Sequence, residues 1–204
     1  MPFEFKKCAA DDGTAIEGLY EIQPKVFGDE RGYFFESYSE RDFFAAGLSM
    51  TFVQDNQSFS TKGVLRGLHF QTRHPQGKLV RAVSGQVYDV AVDLRNGSAS
   101  FGKHFGVVLD GTRQNQFYIP QGFAHGFYVL SETAVFAYKC TDFYDPEGEG
   151  GIPWNDPVLG ISWERAAQQS GGSPAVPLVS KKDMEHPGFS FEKKYFSLSG
   201  IWQG

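Results

Sequence analysis

Ser84-Gly85-Gln86-Val87-Tyr88-Asp89-Val90-Ala91-Val92-Asp93-Leu94-Arg95-Asn96-Gly97-Ser98 reads as one strand held between two turns. Side chains in a strand alternate between its faces, so Tyr88, Val90, Val92 and Leu94 share one face and Asp89, Ala91 and Asp93 the other. Ser84-Gly85 and Arg95-Asn96-Gly97-Ser98 carry the turn residues. The same texture spreads outward. Residues 78–83 read as the hairpin partner of this strand, and residues 105–109 as the next strand before the Asp110-Gly111 turn. Gln116–Ile119, residues 126–130 and residues 134–143 continue the series. Many short strands with regular turn signals predict an all-β sandwich, barrel or jelly roll. The one helix with a full set of signals is Ser39-Glu40-Arg41-Asp42-Phe43-Phe44-Ala45-Ala46-Gly47, with Ser39 as cap and Gly47 as stop. From Asp145 the chain turns to Pro, Gly and acidic residues, which predicts a loop over an end of the barrel. Residues 168–177 read as irregular, and Ser180-Lys181-Lys182-Asp183 as the start of a short helix.

The bulk properties agree with one compact unit. The chain has 204 residues, 41% of them hydrophobic and 20 of them Phe, which supports a single domain over residues 1–204 with a substantial core. The net charge of -5 argues against general affinity for nucleic acid, though a local Arg/Lys cluster can still hold a small anion. Two distant cysteines, Cys8 and Cys140, fit a reducing cytoplasm better than a disulfide scaffold. Met1-Pro2-Phe3-Glu4-Phe5-Lys6-Lys7 has no apolar signal-peptide core, and no apolar run approaches the ~20 residues that span a bilayer.

Two glycine-marked segments each carry a histidine: Gly63-Val64-Leu65-Arg66-Gly67-Leu68-His69-Phe70-Gln71 and Pro120-Gln121-Gly122-Phe123-Ala124-His125-Gly126-Phe127. Together they resemble the two half-motifs of a cupin barrel, which implies a double-stranded β-helix, or jelly roll, with a few short peripheral helices. In that pattern Gly63, His69, Gly85, Pro120, Gly122 and His125 fit. Gln71 and Lys78 occupy the positions of the second histidine and the glutamate. Two imidazoles, an amide and an ammonium make a poor cation cage, because the ammonium repels the metal.

The same four side chains suit proton abstraction beside a carbonyl. A neutral imidazole accepts the proton, and Lys78 stabilises the enolate oxygen, an effect worth about 3 kcal/mol for one well-placed donor. A tyrosine hydroxyl on the opposite face returns a proton to carbon; Tyr138 and Tyr144 both lie in the right stretch. Each residue also has a plainer reading. His69 fits a hydrogen-bonded core histidine, Asp183 a capping box with Ser180, Tyr138 ordinary packing beside Phe136, and Arg31 with Glu36 a surface ion pair. Asp89 is read as a barrel residue bonded to a catalytic side chain and Asp93 as a turn partner. His74 and His104 read as solvent-facing.

From Asp29 to about Trp163 the chain resembles the dTDP-4-dehydrorhamnose 3,5-epimerase family. The pieces that carry the likeness are Asp29-Glu30-Arg31-Gly32-Tyr33-Phe34-Phe35-Glu36, Gln54-Asp55-Asn56, Val64 to Phe70, Lys78 to Asp93, Gly122 to Phe127 and Trp154-Asn155-Asp156-Pro157. The resemblance implies that His69 is the catalytic base, Asp183 the group that orients it, Tyr138 the acid, and Lys78 a catalytic neighbour of the keto group with His125 beside it. It implies substrate contacts at Arg66 and Lys182 (diphosphate) and at Gln54 and Asn56. Arg31, Phe34 and Glu36 would hold the thymidine end from the second chain of a homodimer. The substrate implied is a dTDP-4-keto-6-deoxyhexose, inverted at C3 and C5, with no metal, no cofactor, no nucleic acid and no membrane involved. The alternatives are a single-position epimerase or ketoisomerase on a related dTDP-sugar, a metal-dependent cupin oxygenase, and a non-catalytic sugar-binding cupin. The aromatic residues 189–204 carry no assigned role.

Overall fold

The computed structural model describes residues 2–164 and 175–204. Residues 168–174 of the stretch expected to be irregular lie outside them. Two antiparallel sheets face one another in a jelly roll. The first has six strands in the order β1 (Phe3–Ala9), β2 (Ala15–Pro24), β10 (Gln116–Ile119), β7 (Lys78–Ser84), β12 (Thr133–Cys140) and β5 (Gln54–Thr61). The second runs β13 (Glu149–Gly151), β6 (Leu65–Gln71), β11 (Phe123–Val129), β8 (Gln86–Asp93) and β9 (His104–Asp110). A separate hairpin, β3 (Phe27–Asp29) with β4 (Gly32–Phe34), stands out from both. Among the described residues no helix is long and apolar enough to cross a membrane.

The pairing of residues 78–83 with β8 is not found. β7 pairs with β10 and β12, whereas β8 pairs with β11 and β9. Between them the chain changes sheet at Gly85, which takes a φ of +75°. Adjacency in sequence suggested a hairpin; a jelly roll instead sends consecutive strands to opposite sheets. β11 starts earlier than expected, at Phe123, and β12 ends earlier, at Cys140.

β8 shows how the layers are used. Val87 and Ala91 pack between the sheets with Leu19, Val80, Phe117, Phe127 and Phe136. Val90, Val92 and Leu94 point the other way, out of the sandwich. They are not left in water, because Leu159, Trp163, Phe189, Tyr195, Phe196 and Trp202 cover them. That is the role of the aromatic residues 189–204: they form a third layer over the outer face of the second sheet. Asp89 and Asp93 lie on the inward face and are fully buried, Asp89 bonded to His125 as its reading as a barrel residue expected. Asp93 serves its turn, accepting from the Arg95 backbone N–H at 2.9 Å, the Arg95 guanidinium, Ser98 and Ser100.

On the outer face of the first sheet, α1 (Glu40–Ala45) buries Phe43 against Phe3, Ile22, Leu79 and Tyr118. Ser39 caps it by accepting from the Asp42 N–H, and Gly47 follows at a φ of +86°. Cys8 and Cys140 are free, buried thiols.

Candidate active site

The space between the sheets opens into a cavity of about 680 Å³. Its two walls carry different chemistry. His69 on β6 and His125 on β11 lie opposite one another in register on the second sheet. Lys78 and Tyr138, on β7 and β12 of the first sheet, line the facing wall. The histidines come together because β6 and β11 approach closely at Gly67, where the backbone has a φ of +115°. A Cβ on Gly67 would strike the Gly126 Cα and the His125 carbonyl, so only glycine fits.

His69 Nε2 meets Asp183 Oδ1 at 2.5 Å. Asp183 sits on the short helix α2 (Lys181–Met184), and its backbone N–H is capped by Ser180 Oγ at 3.1 Å. Capping and orienting thus coexist in one residue. Burial pushes the Asp183 carboxyl up, but the bond and charge of His69 and the Ser180 cap outweigh it and hold the group below the ordinary carboxylate range. An ionised Asp183 makes Nε2 the donor, which leaves the lone pair on Nδ1. His125 Nε2 contacts Asp89 Oδ2 at 2.9 Å and Oδ1 at 3.0 Å. Burial lowers the His125 pKa and raises that of Asp89.

Across the cavity Lys78 forms no ion pair among the described residues, and burial lowers its pKa. The two tyrosines separate cleanly. Tyr144 is half exposed and its hydroxyl donates to Glu149 Oε2 at 2.5 Å, an acceptor that pushes its pKa up to about 12. Tyr138 is partly buried, lines the cavity, and has its pKa raised first by burial. Its ring lies 6.1 Å from that of Phe136, so the packing role is real as well.

Arg66, Lys182, Gln54 and Asn56 line the same cavity. Arg66 donates to Ser60 Oγ at 3.2 and 3.3 Å, Lys182 pairs with Glu149 at 2.5 Å, and Gln54 donates to Asn56 Oδ1 at 2.9 Å. Arg31, Phe34 and Glu36 are elsewhere, exposed on and after the β3–β4 hairpin. The Arg31–Glu36 pair is absent; Arg31 instead pairs with Asp29 at 2.5 Å across the hairpin turn, two residues away. His74 is exposed beside Asp142 at 3.2 Å, while His104 is half-buried instead of solvent-facing, with a pKa lowered by burial. At the four cupin ligand positions stand His69, Gln71, Lys78 and His125. His125 Nε2 is engaged by Asp89, Gln71 Oε1 accepts from the Asp145 N–H, and Lys78 brings an amine where a carboxylate would be needed, so this donor set does not fit a divalent metal.

A family model described as dTDP-4-dehydrorhamnose 3,5-epimerase matches residues 13–190. The chain belongs to the dTDP-4-dehydrorhamnose 3,5-epimerase family. It is 53% identical over 150 residues to the enzyme of that name from Methanothermobacter thermautotrophicus, covering 74% of this chain and 81% of that one. It is 52% identical over 177 residues to that of Pseudomonas aeruginosa, covering 86% and 93%. Among solved structures, the dTDP-6-deoxy-D-glucose-3,5-epimerase of Legionella pneumophila in complex with dTDP-4-keto-L-rhamnose superposes with a TM-score of 0.80 at 47% identity, covering 89% of each chain.

Within this member of the family, two residues beside the site escaped the sequence reading. Glu149 lies in the Pro/Gly stretch taken for a loop, yet Glu149–Gly151 forms β13 and pairs with β6, with Gly151 opposite His69. Three residues with two glycines give no periodic signal. His186 stands three residues after Asp183 with Nε2 3.7 Å from Asp183 Oδ1. An i, i+3 spacing from an active-site aspartate was the available clue.

Proposed function

We propose that this protein is a nucleotide-sugar epimerase, a 3,5-epimerase of dTDP-4-dehydro-6-deoxy-D-glucose that yields dTDP-4-dehydro-L-rhamnose. C3 and C5 both flank the C4 ketone, so one chemistry serves both. His69 Nδ1 takes the proton from carbon, and the electron pair moves onto the C4 oxygen as an enolate. Asp183 stabilises the imidazolium that forms. Lys78 holds the enolate oxygen by charge, with neutral His125 beside it. Tyr138 donates its hydroxyl proton to the opposite face of the carbon, and the configuration inverts. Deprotonated His69 and reprotonated Tyr138 are restored by solvent before the second centre reacts.

The observation that carries this reading is the placement of a His69–Asp183 pair on one wall and Lys78 with Tyr138 on the other, in a single cavity. Tyr138 is preferred over Tyr144 because the Tyr144 proton is committed to Glu149. Arg66 and Lys182 take the diphosphate, and Gln54 and Asn56 the sugar or ribose hydroxyls.

In this reading the active unit is a homodimer. Arg31, Phe34 and Glu36 sit on an exposed arm away from their own chain's cavity, with Phe27, Tyr33 and Phe34 each more than half exposed, which suits an arm that closes over the thymidine of a second copy. The whole chain, 1–204, is one domain. A cytoplasmic site of action fits a nucleotide-sugar substrate and two free thiols.

The test is incubation of the enzyme with the 4-keto sugar in deuterated water. Deuterium enters at both C3 and C5 and the L-rhamno product accumulates. Exchange at one carbon alone would mark a single-position epimerase, and binding without exchange a non-catalytic cupin; either outcome overturns the reading.

A further inference from the structure

His186 is a residue the epimerisation chemistry does not use, and its surroundings are unusual. Its side chain is only 11% exposed, and Nε2 is buried without a hydrogen-bond partner. A buried ring nitrogen normally finds one. The nearest candidate, Asp183 Oδ1, is 3.7 Å away, too far for a hydrogen bond. The imidazole is held there by the β13 edge: a Cβ on Gly151 would strike the ring, so glycine at this position is what admits it. The rings of His186 and His69 meet edge to face with centroids 5.9 Å apart.

The ligand atoms of His69, Asp183 and His186 all lie within 4.8 Å of one another. Zinc bonds of about 2.0–2.1 Å place tetrahedral neighbours ~3.4 Å apart. The observed separations, 2.5 Å for His69–Asp183 and 3.7 Å for Asp183–His186, bracket that spacing. Two imidazoles and a carboxylate are the donor set that borderline divalent cations such as Zn²⁺ prefer, and they leave a fourth position for water. None of the donors is the Lys78 side that defeats the ordinary cupin cage.

We infer that His69, Asp183 and His186 form an inhibitory zinc-class metal site, in which the cation takes the place of the proton shared by His69 and Asp183. The cation binds His69 through Nε2, whose proton shifts to Nδ1 and occupies the lone pair the base needs, and it draws Asp183 off as its own ligand. The epimerase is thereby switched off reversibly. This rests on the epimerase reading only for its consequence, since metal binding is read without substrate.

The experiment titrates the chelator-stripped full chain with Co²⁺, a spectroscopic stand-in for Zn²⁺, and follows the visible d–d absorption. Wild type gains one tetrahedral site that Zn²⁺ displaces, and Zn²⁺ suppresses deuterium exchange until chelator restores it. His186→Ala keeps turnover and needs roughly tenfold or more metal for the same occupancy and inhibition. His186→Asn, nearer in shape, gives the same shift if the alanine variant is unstable, and His74→Ala leaves the titration unchanged. Absence of a Co²⁺ spectrum in wild type, or equal metal sensitivity of wild type and both His186 variants, overturns the inference. Binding without inhibition contradicts the switch while leaving the epimerase reading intact.

Discussion

Replacing Asp183 by Asn isolates the charge of the His69 partner from its shape. The backbone N–H of residue 183 still reaches Ser180 Oγ, so the cap of α2 survives. The 2.5 Å contact to His69 Nε2 loses its ionised acceptor. A hydrogen bond to a charged group is worth about 1.5–3 kcal/mol, against ~1 kcal/mol for a neutral one. The imidazolium exists only after proton transfer, so most of that difference falls on the barrier. One to two kcal/mol corresponds to roughly a 5- to 30-fold lower kcat. An amide that turns its NH₂ toward Nε2 costs more, because it forces the proton onto Nδ1 and removes the base lone pair. The assay is kcat and KM for deuterium exchange at C5, together with the melting temperature. The expected result is a fall in kcat with KM near wild type and a melting temperature lowered at neutral pH, by the stability that the ionised Asp183 contributes. A D183N enzyme within about twofold of wild-type kcat would refute the role given to Asp183, since a charge-assisted bond cannot be lost so cheaply.

Lys78→Met removes the cation facing the enolate and lowers kcat by roughly 100-fold, the equivalent of about 3 kcal/mol, measured in steady-state turnover. Lys78 acts as the ammonium and burial lowers its pKa, so activity falls with rising pH below the ordinary lysine range; in Lys78→Arg that alkaline limb moves upward in a kcat/KM profile. Asp183, with its folded pKa depressed, contributes stability that is present above the unfolded value of about 3.9 and is lost as pH falls through the folded pKa; D183N flattens that part of the acid dependence of melting. If Arg31 holds the thymidine end as proposed, Arg31→Ala raises KM and leaves kcat largely unchanged, since that end is remote from the reacting carbons; a kcat loss with unchanged KM would contradict the proposal.

The parts of the fold that were legible in sequence are those governed by local rules. Ser39 and Gly47 bracket a helix because capping and positive φ are properties of a few adjacent residues. Gln116–Ile119 and the body of β8 follow from alternation. What was not legible depends on contacts distant in sequence. β7 looked like the partner of β8 because only a glycine separates them, and nothing local says that the chain changes sheet there. The apolar face of β8 was visible from alternation, but not that it points out of the sandwich under a layer that includes Phe189, Tyr195, Phe196 and Trp202. At the site, nine of the twelve proposed residues line one cavity. The other three, Arg31, Phe34 and Glu36, are exposed on and after the β3–β4 hairpin, away from that cavity, and their role rests on the proposed dimer. His186 was missed because its partner, Gly151, carries no side chain to signal the approach.

The central claim is that one wall removes a proton and the facing wall returns it. Tyr138→Phe in deuterated water tests this directly, by comparing the rate of deuterium incorporation with the rate of inversion at C5. The account predicts that His69 still exchanges the carbon-bound proton while inversion falls far behind, so labelled sugar of unchanged configuration accumulates. Loss of exchange and inversion in equal proportion, or inversion at the wild-type rate, would contradict it.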